Sequence, residues 1–346
     1  MARRDAASGR VATTGTIEVR VDSDDGDARL VRLQSGYPLR LMAPSSRTRS
    51  GGRKHRDVYV LAFGGGLVGG DCVALRVLVG SHASLFVGTQ GATRIYAPPP
   101  APSASSAGAA CTHVPVPTRN SISAIVEPHA LLILTPDHVA PFADARFTST
   151  QTLALHRDAS LVFLDWMGAG RVHGRGEAWR FHSYASRVSI LHAVRSPELS
   201  QDPGFRELMR DAWLLEHNEN ELVDGQVASY AAQMGAFTCV GTLMLLGPRV
   251  QALVNEAVRA FDEVSIRHNG VDGFTDGVIW SLSKITKDQL RLEGADESAS
   301  NPPMEVVGVV IRFFAQEPRE ARQFVKQRLV GLESITGSTD LFSKQI

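Results

Sequence analysis

The sequence lacks the features that mark several large classes of protein. Its three cysteines, Cys72, Cys111 and Cys239, are far apart and odd in number, so neither a disulfide framework nor a Cys-x-x-Cys zinc site is expected. It contains no apolar run of about 18 residues, and Met1–Gly15 lacks the apolar centre of a secretory signal. These absences predict a cytoplasmic protein that does not cross a membrane.

An excess of charge of either sign is also absent. Lys plus Arg and Asp plus Glu both total 36, so the net charge gives no reason to expect nucleic acid or an anionic membrane as a partner. The one basic run, Arg47–Arg56, lies among serine and glycine without interleaved aromatic residues. That composition is typical of a solvated loop. We therefore expect no nucleic acid and no membrane among the partners.

Recognisable catalytic and metal-binding motifs are missing as well. The sequence contains neither Gly-x-Ser-x-Gly nor His-Glu-x-x-His, and its eleven histidines have no metal-ligand spacing. His129 and His138, with Asp137 beside the second, flank the apolar run Leu131–Leu134. An apolar strand with polar ends explains this group better than a ligand set.

What the sequence does contain is a long series of strand signals. With 346 residues and 43% hydrophobic composition, the chain can bury a large core in one domain or two. Alternating or β-branched runs, separated by Gly, Pro or Ser clusters, predict a mainly β fold. The predicted strands lie near Ile17–Val21, Leu30–Gln34, Val58–Phe63, Val73–Val79, Ser84–Val87, Ile122–Val126, Leu131–Leu134, Arg146–Leu155, Leu161–Asp165 and Trp179–Leu191.

Helical signals appear only in the later part of the chain. Strand-like runs at Phe237–Leu246 and Val306–Phe314 are each followed by a helix, which begins at Pro248 and at Pro318 respectively. The apolar positions of the two helices follow helical spacing, at Val250, Leu253, Val254, Ala257 and Phe261 and at Ala321, Phe324, Val325, Leu329 and Leu332. The chain is thus predicted to be mainly β with a small α+β portion.

A glycine-rich segment, Phe63–Asp71, initially suggests a nucleotide-binding loop. Gly64-x-Gly66-x-x-Gly69 has the spacing of the dinucleotide fingerprint, which needs a helix opening at its last glycine and an acid about twenty residues later. Instead, Val73–Val79 alternates as a strand does, no acid occurs between Cys72 and Val126, and no Lys-Ser or Lys-Thr closes the glycine run. We interpret the segment as a sharp turn between strands.

Two acidic residues stand out near such turns. Asp71 follows the glycine run and can either cap local amides or point into a cavity. Asp165 lies in the apolar run Leu161–Arg171, where a buried carboxylate needs a partner or a wet cavity. Arg171 can pair with Asp165 or with Glu177, so a buried ion pair and a role in an internal polar passage both remain open.

Four ordered landmarks resemble the urease accessory protein UreD (UreH) family. They are Gly65–Asp71, the segment Thr89-Gln90-Gly91-Ala92-Thr93-Arg94-Ile95-Tyr96, Gly170-Arg171, and Gly176-Glu177. The resemblance covers roughly Leu30–Leu191, and Gly241–Pro248 and Val306–Leu332 are similar to later parts of the family. It implies one UreD-like domain at 15–346. Composition predicts a disordered segment 1–14 and flexible insertions near 44–56, 97–112 and 287–303, which lengthen loops beyond the family plan.

The resemblance also implies a fold and a function. The fold is a mainly β scaffold of stacked strands, β-helix or solenoid-like, with two α-helices in the C-terminal half. The function is non-enzymatic: the scaffold binds apo-urease, the accessory F protein and the G GTPase, and helps deliver nickel during urease maturation. No cofactor is held permanently, but nickel(II) passes in transit. The family's passage acids correspond to Asp71, Asp165 and Glu177.

Two alternatives remain beside this interpretation. One is a nucleotide-dependent enzyme that uses the Gly64–Gly69 loop, which requires a helix after Gly69. The other is a β-solenoid binding module unrelated to urease.

Cys72 departs from the family pattern. In the family a polar or acidic residue commonly follows the aspartate. Packing as a small hydrophobe explains Cys72 better than metal binding does.

Overall fold

The fold is that of a computed structural model, which describes residues 13–44, 54–99, 115–194, 204–216, 222–223, 226–227, 230–267, 273–275, 277–290 and 305–338. Its strands are β1 (Thr13–Val21), β2 (Ala28–Gln34), β3 (Leu39–Met42), β4 (His55–Ala62), β5 (Gly66–Leu67), β6 (Cys72–Val79), β7 (Ser84–Thr89), β8 (Thr93–Ile95), β9 (Thr118–Val126), β10 (Leu131–Leu134), β11 (Val139–Pro141), β12 (Arg146–Leu155), β13 (Ser160–Gly168), β14 (Gly170–Arg171), β15 (Glu177–Ala178), β16 (Ser183–Ala193), β17 (Phe205–Glu216), β18 (Leu222–Val223), β19 (Gln226–Val227), β20 (Cys239–Leu246), β21 (Gly273–Thr275), β22 (Val278–Thr286) and β23 (Val306–Ala315). Its α-helices are α1 (Val172–Arg175), α2 (Tyr230–Met234), α3 (Gln251–Arg267), α4 (Pro318–Arg328) and α5 (Leu332–Thr336).

Most of these strands form two large sheets. The first sheet has the order β17-β16-β12-β9-β6-β1-β2, and the second has the main order β21-β22-β23-β20-β13-β10-β7-β4-β3. From β4 to β16, the strands of these orders alternate between the two sheets. Strands β6, β9, β12 and β16 belong to the first sheet, and β4, β7, β10 and β13 belong to the second. Within each sheet these strands pair in parallel. The prediction of a mainly β fold is confirmed, and its description as a solenoid stays a prediction.

Burial explains why the sheets stack as they do. One core lies between the sheets and includes Val77, Leu132 and Phe163. A second core lies between the outer face of the second sheet and helices α3 and α4, and includes Val162 and Phe324. Since successive side chains of a strand point to opposite faces, β13 contributes to both cores and is buried at every residue. Asp165 shares the inner face of β13 with Phe163.

The two predicted helices are present with modified ends. A 3₁₀ turn at Pro248–Val250 precedes α3, so the proline begins the helical segment as expected. The second predicted helix is divided into α4 and α5. Gly331 lies between them with φ of 99°, a conformation that ends a regular helix.

Several strands differ from the sequence prediction. The strand expected at Trp179–Leu191 begins only at Ser183, because Trp179 adopts a left-handed φ of 57° that strand backbone does not use. Strands β17 and β22 were not predicted at all. Two predicted strands, Leu131–Leu134 and Arg146–Leu155, have the bounds of β10 and β12.

The segments predicted to be flexible are only partly described. Strand β1 begins at Thr13 and β4 begins at His55, inside the predicted segments 1–14 and 44–56. Lys287–Leu290 forms a 3₁₀ turn at the start of the segment 287–303. The remainder of 1–14 and most of 44–56, 97–112 and 287–303 lie outside the described residues. None of the described helices has both the length and the apolar sequence needed to cross a membrane.

Candidate functional site

The glycine-rich corner brings two of the sequence landmarks together. Strand β5 at Gly66–Leu67 pairs in parallel with β8 at Thr93–Ile95, so the glycine run lies directly against the Thr89–Tyr96 segment. A Cβ atom built on Gly66 would lie 2.5 Å from the Arg94 carbonyl oxygen and 2.7 Å from the Tyr96 ring. The glycine is therefore needed for close backbone approach. After the corner the chain enters β6 and not a helix, so the dinucleotide-binding interpretation is wrong.

Asp71 stabilises this corner locally. Its carboxylate accepts a hydrogen bond of 2.9 Å from the Val68 amide, and its own amide donates to the Val68 carbonyl oxygen. Its carbonyl oxygen also accepts a hydrogen bond from the Arg119 amide. Of the two arrangements left open by the sequence, the structure shows the capping one. Leu67 lines the internal cavity described next, but Asp71 does not.

An internal cavity of about 110 Å³ lies between the two sheets. That volume can hold several water molecules, provided that polar groups are present to bind them. The cavity has apolar walls, but polar side chains also line it, namely Thr89, Thr93, Asn120, Asp137, Ser149, Gln151, Asp165 and Tyr184. These side chains come from strands of both sheets, so the polar lining is a property of the sheet pairing and not of a single loop.

Asp165 is the buried acidic group of this cavity. Only 8% of the residue is exposed, and its Oδ2 accepts a hydrogen bond of 2.7 Å from the Ser186 hydroxyl. Burial raises the pKa of Asp165 to about 6; hydrogen bonds from Ser186 and Gln151 oppose this rise, whereas the nearby charge of Asp211 adds to it. The salt bridges of the described residues include none to Asp165. The carboxyl group thus changes protonation close to neutral pH.

The first sheet supplies a row of polar partners to Asp165. Asn120, Ser149 and Ser186 are register neighbours on β9, β12 and β16. The side-chain Nδ2 of Asn120 donates to Ser149 Oγ at 3.2 Å, and Gln151 Nε2 donates to Ser186 Oγ at 3.4 Å. This row was not predicted, although a signal exists. Ser149 and Gln151 stand two residues apart from each other and from the apolar Phe147 and Leu153, so all four share one face of the strand.

One end of the cavity is closed by an ion pair with Asp137. The guanidinium of Arg322 on α4 contacts both carboxylate oxygens at 2.9–3.3 Å, and Asp137 Oδ1 also contacts His138 Nδ1 at 3.0 Å. The Asp137 amide in turn donates to Thr89 Oγ1 at 2.8 Å. Burial disfavours ionisation of Asp137, but the hydrogen bonds and charges of His138 and Arg322 outweigh it and lower the pKa of Asp137.

The polar interior continues past Asp165 toward a second ion pair. Thr242 on β20 is the register partner of Asp165 on β13, and Arg312 on β23 is the register partner of Thr242. Thr242 Oγ1 donates to Asp211 Oδ2 at 3.0 Å, and Arg312 Nη2 donates to Asp211 Oδ1 at 2.7 Å. Trp213 Nε1 also donates to Thr242 Oγ1. We call the continuous set Asn120, Ser149, Gln151, Ser186, Asp165, Thr242, Trp213, Asp211 and Arg312 the polar seam.

Glu177 lies apart from the seam, in the short hairpin formed by β14 and β15. Its Oε2 accepts hydrogen bonds from Arg171 Nε at 2.9 Å and Nη2 at 2.7 Å, and the Arg171 guanidinium lies over the Phe142 ring. Arg171 therefore pairs with Glu177 and not with Asp165. The structure does not bring the three predicted residues Asp71, Asp165 and Glu177 into one cluster, and only Asp165 lines the cavity.

Comparison with known proteins identifies the family. The sequence model described as UreD urease accessory protein matches residues 13–339. The chain belongs to the UreD family. The urease accessory protein UreD of Sorangium cellulosum is 32% identical over 240 residues, which are 69% of this chain and 64% of the relative. The urease accessory protein D of Oryza sativa subsp. japonica is 29% identical over 342 residues, or 97% of each chain.

Coverage of the UreD relatives varies. This chain spans just under two thirds of the Sorangium protein and 87% of the UreD of Anaeromyxobacter sp., to which it is 28% identical. The resemblance recognised from the sequence is thereby confirmed. The alternative of a β-solenoid module unrelated to urease accessory proteins is wrong, because a single family model matches nearly the whole chain.

Resident metal ligands are not gathered anywhere in the described part of this UreD-family chain. No group of three or more His, Cys, Asp or Glu side chains there is arranged to hold a metal ion. Cys239 is buried, which raises its pKa to about 12 and keeps the thiol protonated. Cys111 lies outside the described residues.

Glu177→Gln is expected to lower the free energy of unfolding by less than about 1 kcal/mol, because the Arg171 ion pair is partly exposed. Urea denaturation followed by circular dichroism measures this difference. Glu207→Gln is the matched control, since Glu207 pairs with Arg210 on the surface. A loss several times larger at position 177 alone would contradict the assignment of a weak hairpin contact.

Proposed function

We propose that this chain is a non-catalytic scaffold of urease maturation. In this role it binds apo-urease, the accessory F protein and the G GTPase, and it lets nickel(II) move through the internal cavity toward urease. The names of the relatives support a function in the urease system. The observation that carries the nickel part of the proposal is Asp165, a buried carboxyl group on a polar cavity with no cationic partner among the described residues.

The chemistry of the cavity suits transit better than storage. Nickel(II) accepts oxygen ligands, and a passage must bind the ion weakly enough to release it. Asp165 offers one carboxylate together with the neutral oxygens of Ser186 and Gln151. A cation that reaches Asp165 meets one negative charge and a few neutral oxygens, so it is attracted to the site and can still leave it. A full cage of three or four charged ligands would instead retain the ion.

Asp71 and Glu177 are proposed as further transient ligands outside the cavity. Both carboxylates already accept hydrogen bonds, Asp71 from the Val68 amide and Glu177 from Arg171. Binding of nickel at either residue therefore competes with these local contacts. Since Glu177 is also paired with the positive charge of Arg171, we expect weaker binding there than at Asp165.

The double variant Asp71→Ala, Asp165→Ala tests the proposed function. Cells that lack their own copy of the gene are complemented with the wild-type chain or the variant, and the nickel content and activity of purified urease are measured. We expect the variant to reduce nickel loading strongly while the chain still co-purifies with urease and the F protein. Asp158→Ala is the control, since Asp158 is an exposed turn residue.

Two results would count against this function. Urease that is fully loaded with nickel in cells without the chain would remove the need for a delivery scaffold. Equal loss of nickel loading and of complex formation in the double variant would indicate a folding role for the two aspartates.

A further inference from the structure

The polar seam extends well beyond the cavity that it lines. Facing sheets normally bury apolar side chains between them. Here Asp165, Thr242 and Arg312 occupy one register row across three adjacent strands of the second sheet. Asp211 faces this row from β17, the terminal strand in the order of the first sheet. The seam therefore runs across the strands, perpendicular to their direction, from the cavity to the place where β17 faces β23.

An ion pair stands at each end of this polar interior. Asp137 with Arg322 lies at the cavity end, and Asp211 with Arg312 lies at the margin of the sheets. In both pairs the carboxylate is largely buried, with 2% of the Asp137 side chain and 10% of the Asp211 side chain exposed. A positive guanidinium at either position opposes the passage of another cation. The two pairs differ, however, in how firmly they are held.

The pair at Asp137 is fixed by several contacts. Arg322 contacts both oxygens of Asp137, which also accepts hydrogen bonds from His138. Bidentate arginine contacts to a buried carboxylate are among the stronger polar interactions in proteins. If Arg322 moved away, a buried charge would lose its main counter-charge, which is costly. This end is therefore built to remain closed.

The pair at Asp211 has the opposite character. Arg312 makes a single hydrogen bond to Asp211, whereas Arg322 makes three contacts to Asp137. The two arginine side chains are similarly exposed, at 39% and 35%. Beside it lies a pocket of about 200 Å³, lined by Leu208, Met209, Lys284, Gln289, Val310 and Arg312 itself. If the guanidinium leaves Asp211, this pocket offers it space next to solvent. Asp211 would still keep its hydrogen bond from Thr242.

We propose that the Asp211–Arg312 ion pair is the gate of the nickel passage, and that cations enter or leave the seam between β17 and β23 when Arg312 turns away. This proposal rests on the proposed function and adds the position and the moving part of one end of the passage. Asp211 then serves as the carboxylate that a cation meets between solvent and Asp165. Thr242 donates to Asp211 and is the register partner of Asp165.

Fluorescence of Trp213 provides a direct test that does not depend on urease. Trp213 Nε1 lies 3.1 Å from Thr242 Oγ1, inside the seam, so a paramagnetic Ni²⁺ ion at Asp211 or Asp165 is expected to quench its emission. The probe is NiCl₂ added to the purified full-length chain in a stopped-flow instrument. The Trp213→Phe variant identifies the part of the signal that belongs to Trp213.

Arg312→Gln is expected to accelerate this quenching about tenfold, which corresponds to about 1.4 kcal/mol removed from the barrier to cation uptake. Arg312→Lys, which keeps the positive charge, is expected to quench at close to the wild-type rate. Arg210→Gln is the matched control, because Arg210 is an exposed arginine of β17 that pairs with Glu207. Asp211→Asn is expected to reduce the amplitude of Trp213 quenching.

Equal rates of Trp213 quenching in the wild type, Arg312→Gln and Arg312→Lys would overturn the proposal that Arg312 is a gate. If Arg312→Gln fails to fold, Asp211→Asn decides the matter, and an unchanged quenching amplitude refutes the proposal. The two proposals fail differently. Normal nickel loading of urease in cells that carry the Asp165→Asn variant would refute the proposed function. If Asp165→Asn abolishes loading but Arg312→Gln leaves the rate of Trp213 quenching unchanged, only the gate is refuted.

Discussion

Asp165→Asn is expected to make the purified protein more stable at pH 7 while removing most of its support for nickel loading of urease. The carboxyl group is buried, and its pKa is raised from 3.8 to about 6. That rise corresponds to a destabilisation of about 3 kcal/mol at pH values above both pKa values. Asparagine fills the same space without a charge, so it escapes this cost but binds a cation poorly.

The sign of the pH dependence follows from the same shift. Below the unfolded-state pKa the group is protonated in both states and costs nothing. Between about pH 4 and pH 6 the folded state holds the proton more tightly than the unfolded state, so the wild-type free energy of unfolding falls as the pH rises. Urea denaturation between pH 4 and pH 8 should therefore show the difference between Asp165→Asn and wild type growing with pH.

Asp158→Asn serves as the control for this experiment, because Asp158 is exposed in the turn before β13. It is expected to change the free energy of unfolding by less than about 0.5 kcal/mol. A difference between Asp165→Asn and wild type that is independent of pH would show that Asp165 is not a buried carboxyl group with a raised pKa. Unaltered nickel loading would show that its charge has no part in delivery.

Gly66→Ala is expected to cost about 3 kcal/mol of stability, as an overpacking substitution against backbone does. The new Cβ atom would lie 2.5 Å from the Arg94 carbonyl oxygen, which β8 holds in place. Either β5 or β8 must move, and the corner that carries Asp71 moves with it. Thermal unfolding followed by circular dichroism measures the loss.

Gly64→Ala separates steric clash from backbone strain. Gly64 has φ of 75°, but no atom of the described residues lies within 4 Å of the place that an added Cβ would take. Only the left-handed conformation is therefore penalised, at about 1 kcal/mol. If Gly66→Ala proved no more harmful than Gly64→Ala, close packing of the two landmark segments would not explain the glycines.

The strand pattern of the fold was largely predictable from the sequence, and β17 shows where the prediction failed. Val73–Val79 has branched or long apolar residues at every odd position, and Arg146–Leu155 has β-branched threonine at 148, 150 and 152; both patterns indicate strands. Strand β17, by contrast, reads Phe-Arg-Glu-Leu-Met-Arg-Asp-Ala-Trp-Leu-Leu-Glu and contains mostly helix-favouring residues. Its pairing with β16 determines its conformation, and that information is not local.

The candidate site was predictable only where a single strand carries the signal. Asp165 stands among apolar neighbours, so its burial followed from the sequence. The ion pair between Asp211 and Arg312 joins residues 101 positions apart, on strands of different sheets. No spacing rule connects such residues. Asp71 was recognised as a possible cap, but the choice between capping and lining a cavity required the position of the Val68 amide.

The ion pair at the closed end of the cavity can form only late in the synthesis of this chain segment. Asp137 and its partner Arg322 are 185 residues apart, and Arg322 lies on α4. The parallel strands of the two sheets are translated before α4, because they precede it in the sequence. Until α4 has been translated, however, Asp137 lacks the guanidinium that compensates its burial. The interior of a nascent chain is thus incomplete until α4 has been translated.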